Sequence, residues 1–222
     1  MNLEIPRPTQ NHPYFEKQER ENIYVTIVMN KLWDQFKDQM SECDFSDQEI
    51  AEIEKGIPND PERAKSFFAV PFELQQTVFS KYKEKVTRGE IKPADIPKDL
   101  IQKMNDYGFT IGFHLSNKDI HPNDGNKWEI IGKQEDHRDS DRSMAYYSHS
   151  FAKRYTAGKE LPILYVIRSE TGKETAHKQD NDNSWGRASK LSVIAKLDMT
   201  EIDKTVEHIE KEAREEKKKG GQ

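Results

Sequence analysis

The stretch GFHLSNKDI (112–120) hands one imidazole, His114, from an apolar run to a polar turn opened by Ser116. A titratable ring so placed can serve as acid, base or hydrogen-bond partner of a ligand, or it can simply pack against its neighbours. A second stretch, MAYYSHSFAKRY (144–155), sets Tyr146, Tyr147, Ser150, Lys153, Arg154 and Tyr155 close together, aromatic faces beside cations and a hydroxyl. Arg168 and Arg187 add planar guanidinium groups of the kind that grip phosphate oxygens two at a time.

Other chemistries lack their residues. His114, His121, His137, His149 and His177 are scattered, with no pair at the close helical spacing of a zinc motif. DHRDSDR (136–142) has neither the glycine turn nor the terminal bidentate glutamate of a calcium loop, so no metal site is expected. There is no G-x-S-x-G elbow for a serine hydrolase, no G-x-G-x-x-G and no P-loop. Cys43 is the only cysteine, which excludes internal disulfides and any cysteine-cluster zinc.

The elements that would position these residues fall into two halves. Residues 19–40 place Ile23, Ile27, Leu32 and Phe36, with Val28 and Trp33, along one helical stripe, behind a Pro-rich extended arm of sixteen residues. Ser46 and Glu49 form a capping box for a second helix that Gly56 would end. Pro61 favours a third start and Pro71 forces a break. A short helix over 97–108 completes a helical region, residues 1–106. From Phe109 the pattern turns to short β-rich runs, FTIGFH, KWEIIGK, MAYYS, LPILYVIRS and KLSVIAKLD, with one short helix over 149–158. A charged helix, 201–222, closes the chain. The fold class is α+β, a helical first half followed by a small mixed sheet.

The order of the motifs carries a resemblance. GFHLSNKDI resembles the first motif of the ADP-ribosyltransferase superfamily, in its diphtheria-toxin and poly-ADP-ribose-polymerase-like branch. MAYYSHSFAKRY resembles the second, a tyrosine strand followed by a short helix with Ser and Tyr. LPILYVIRS is similar to the apolar strand that comes next. The likeness covers about residues 107–200 and leaves the helical half outside it. It implies a split mixed sheet of that family's type and NAD as substrate, bound bent, its nicotinamide–ribose bond cleaved through an oxocarbenium-like state. By resemblance His114 holds the adenosine ribose and a backbone group of Leu115 or Ser116 holds the nicotinamide amide. Tyr146 or Tyr147, with Tyr155, sandwiches the nicotinamide ring, and Ser150 bonds its amide. Arg154, Arg168 and Lys153 neutralise the pyrophosphate, and Arg187 is counted among the cofactor-binding residues. The family's glutamate at the start of the last strand is missing from NDNSWGRASKLSVIAKLD (181–198). Asp182 would replace it from the loop, or a non-acidic residue does so, or catalysis is lost; Glu170 and Glu174 are further alternatives.

Composition bounds the setting. Hydrophobic content is 33% against 34% charged, yet 10 Phe, 8 Tyr and 3 Trp argue for a compact aromatic core rather than disorder. The N-terminus has no basic, apolar leader pattern and no apolar run approaches a bilayer's thickness, so a cytoplasmic setting with no membrane partner is expected. Residues 1–107 hold 15 basic and 20 acidic side chains, while 142–196 hold 10 basic and 5 acidic. That basic strip suits NAD and leans the acceptor towards nucleic acid over protein. The resemblance implies a toxin-like or phage-defence effector inside the cell, restrained by an antitoxin-like protein. An RNA 2′-phosphotransferase-like enzyme, using Arg168 and Arg187, and a non-catalytic interaction module are the competing expectations.

Overall fold

A computed structural model describes residues 3–4, 13–90, 109–120, 129–131, 145–148, 151, 161–170, 176–180, 183–188 and 190–220. Four helices come first: α1 (Pro13–Glu42), α2 (Asp47–Gly56), α3 (Pro61–Ala69) and α4 (Phe72–Thr87). Seven strands follow: β1 (Phe109–Ser116), β2 (Glu129–Ile131), β3 (Ala145–Ser148), β4 (Ile163–Glu170), β5 (Ala176–Asp180), β6 (Asn183–Ala188) and β7 (Lys190–Asp198). A last helix, α5 (Met199–Gly220), ends the described chain. The expected α+β class is what the chain adopts. The helices expected over 97–108 and 149–158 lie outside the described residues, Phe151 excepted.

Local signals explain the helix boundaries. Pro13 opens α1, so the last four residues of the expected extended arm are helical; a first-turn proline needs no N–H partner. Leu3 and Asn30 exchange two hydrogen bonds that pin the start of the chain to α1. Ser46 and Glu49 close the capping box of α2, whereas Gly56 is its last, buried residue and Ile57 takes the C-cap. Asp60 caps α3 ahead of Pro61. Where Pro71 breaks α3 from α4, the buried Gln75 amide donates to the Phe67 and Val70 carbonyls, satisfying acceptors the break would orphan.

The sheet order is β2-β7-β4-β1-β3-β6-β5. Among the described residues every pairing is antiparallel, where a mixed sheet was expected from sequence. Composition of single strands carries no direction; neighbours from distant parts of the chain decide it. β5 and β6 were not foreseen as strands, because AHKQD and NSWGRA hold no apolar run. Their pairing makes them strands, β5 against β6 and β6 in turn against β3.

Alternation sorts the sheet's two faces. Ile111, Phe113, Leu164, Val166, Ala195 and Leu197 join the large core under α1, α3 and α5. Tyr147, Tyr165, Ile167, Leu191 and Ile130 form a separate cluster on the other face. α5 runs against α1 through Lys31–Glu201, Arg20–Glu210 and a 2.6 Å hydrogen bond from the Tyr24 hydroxyl to Asp203. Burial and that carboxylate push the Tyr24 phenol well above its ordinary range.

Candidate active site

β1 pairs with β4 along its whole length, setting His114 opposite Tyr165. Since Phe109, Ile111, Phe113 and Leu115 turn to the helices, Thr110, Gly112, His114 and Ser116 share the face away from them. His114 is half-buried there, its ring 6.4 Å from that of Tyr165 and tilted by 39°. Ser116 opens the next turn, its hydroxyl accepting the Lys118 N–H at 2.9 Å. Leu115 packs into the helical core, so only its backbone can contribute to this face.

The turn after Ser116 is clamped from β4 and from β7, the strand beyond it. The Tyr165 hydroxyl accepts the Ile120 N–H at 2.7 Å and lies 3.2 Å from both the Lys118 carbonyl and an Asp119 oxygen. Lys196, on β7, donates to both Asp119 carboxylate oxygens at 2.7 Å. Burial, with the Asp119 charge adding to it, raises the Tyr165 phenol, while the Ile120 N–H opposes. The bond to Asp119 raises the Lys196 ammonium. None of these three residues stood out in the sequence, although the alternation of Phe-Ile-Phe-Leu with Thr-Gly-His-Ser in β1 marks the face they serve.

Tyr147 belongs to the same face. It is only 3% exposed and packs with Ile167 over Gly112, where any side chain would overlap its ring. Register places Tyr147 opposite Gly186 of β6 and Tyr146 opposite Arg187. β3 joins β1 through the pair Phe113–Ser148, so the strands bearing His114, the tyrosine pair and Arg187 stand side by side.

Arg168 does not join them. It pairs with Ile111, faces the helices and holds its guanidinium 5.3 Å over the Phe109 ring. There it lines a cleft with Phe36, Phe72 and Gln75, on the opposite side of the sheet from His114. Ser150, Lys153, Arg154, Tyr155, Glu174 and Asp182 lie outside the described residues. Asp182 falls in the two-residue connection between Asp180 and Asn183, whose positions pair. Asn183 is about 10 Å along β6 from the level of Gly186, at roughly 3.3 Å per residue. Glu170 ends β4 opposite Phe109, at the far end of β1 from Ser116.

Among the described residues no group of three His, Cys, Asp or Glu side chains is placed to hold a metal ion, and no helix is long and apolar enough to cross a membrane. No family model matches the chain, and no significant match exists among curated proteins or solved structures.

Proposed function

We propose that the protein is an NAD-dependent mono-ADP-ribosyltransferase, with a sheet of that superfamily's type. One observation carries the reading: the three motif stretches, bearing His114, Tyr146–Tyr147 and the apolar run 163–170, lie together in the sheet as β1 flanked by β3 and β4. His114 sits at the ligand-facing end of β1, beside a turn whose backbone is held still by Tyr165, Asp119 and Lys196. In the reaction the nicotinamide–ribose bond breaks, nicotinamide leaves with the bonding electrons, and an acceptor nucleophile bonds the ribose carbon and gives up its proton. The chain's residues bend and orient the dinucleotide, so binding contacts also raise turnover.

Of the two strand tyrosines, Tyr147 packs beside Gly112 on the face that carries His114. Tyr147 supports the floor of the site on the His114 face, and Tyr155 is the ring offered opposite it. The basic strip favours nucleic acid as acceptor, with protein second. Arg168, turned to the helices, gives no support to the 2′-phosphotransferase reading. A non-catalytic module draws support from the same burial of Tyr147, since a core tyrosine needs no ligand to explain it.

Labelled NAD incubated with the protein and with nucleic-acid or protein fractions separates these readings. Transfer of label with release of nicotinamide is expected, abolished in His114→Ala while the melting temperature stays within a few degrees of the parent. No nicotinamide release from any fraction, together with no NAD binding, would sink the transferase reading.

A further inference from the structure

The His114 strand and the tyrosine strand meet at Phe113 and Ser148. Among the described residues β1 and β3 share one register pair, Phe113–Ser148, whereas β1 and β4 pair over eight residues. Three residues beyond Ser148 the chain is gripped again, from the helical side. The Phe151 N–H donates to the Glu21 carboxylate of α1, 2.8 and 2.9 Å from its two oxygens. The Phe151 ring lies 4.3 Å from Phe113 of β1 and stacks at 5.3 Å on Tyr24, one helical turn after Glu21. Phe151 itself is buried, 1% exposed. Tyr24 is in turn tied to α5 through Asp203.

We infer that Glu21 is a positioning residue for the candidate site: through Phe151 it sets where β3 stands relative to β1, and hence where Tyr147 stands relative to His114. The inference rests on the transferase reading for its functional part only. A carboxylate is suited to the task because a charge-assisted bond to a backbone N–H is shorter and stronger than a neutral one. The aromatic pair on either side of Phe151 fixes direction, and the carboxylate fixes depth. α1 is thereby part of the site's frame, although it lies outside the stretch that resembles the transferases.

Two variants of the full chain test this. Glu21→Ala removes the acceptor, and Glu21→Gln keeps a neutral one. Hydrogen exchange should accelerate at Phe151 and along β3 by about tenfold in Glu21→Ala and by a smaller factor in Glu21→Gln, with the β4–β7 amides unchanged. The KM for NAD should rise by about the same factor, with a smaller change in kcat. If Glu21→Ala does not fold, Glu21→Gln alone decides, by faster exchange confined to Phe151 and β3. Parent-like exchange at those amides in the folded variants, or exchange accelerated equally throughout the sheet, overturns the inference. A parent protein that binds no NAD removes the transferase reading, yet the exchange pattern still decides whether Glu21 sets the joint.

Discussion

Gly112 lies directly beneath the ring of Tyr147, so close that a methyl group at position 112 would occupy the ring's own space and stand 3.0 Å from Ile167 Cδ1. The backbone of Gly112 has no positive φ, so its role is to leave room. Gly112→Ala must displace a buried tyrosine, and overpacking of that kind costs about 1–3 kcal/mol. Denaturant unfolding should show the midpoint falling with little change in slope. A parent-like midpoint would mean that Tyr147 moves freely, and that the tyrosine strand is not seated as described.

Tyr165→Phe keeps the ring in the core and deletes the hydroxyl that accepts the Ile120 N–H. Losing a partner at a half-buried amide costs about 1–2 kcal/mol. The effect should be local, with faster hydrogen exchange at Ile120 and weaker NAD binding, because the turn beside His114 loses its anchor. Unchanged exchange at Ile120 would show that Asp119 and Lys196 hold the turn by themselves.

The same cluster predicts a dependence on alkaline pH. Tyr165 and Lys196 both have raised pKa values in the fold. Their protonated forms are therefore favoured by folding, and the stability they add is fully present below their ordinary values, about 10 and 10.4. It is lost as pH rises through the higher folded values. Stability measured from pH 8 to pH 11 should fall at the alkaline end, and less so in Tyr165→Phe than in the parent. Equal losses in the two proteins would assign the alkaline transition to other groups.

Much of the helical half was legible in the sequence because its signals are local. A hydroxyl at Ser46 and a carboxylate at Glu49 close a capping box without help from elsewhere, and Pro61 and Pro71 start and stop helices through their own ring geometry. β1 was legible for a similar reason, since strict alternation already separates Phe109, Ile111, Phe113 and Leu115 from Gly112, His114 and Ser116.

What only the tertiary structure decided are the relations between strands. LPILYVIRS is apolar at nearly every position, so nothing in it says that Arg168 turns to the helices while Tyr165 faces His114; pairing with β1 settles that. Polar AHKQD and NSWGRA become strands because each supplies the other's backbone partners. The Glu21–Phe151 bond joins residues 130 apart in sequence, beyond the reach of any local pattern. Side-chain types and their periodicity are properties of a segment, and the sequence by itself determined those. Which segment lies beside which, and therefore which residues share a face with His114, was settled only when the whole core packed.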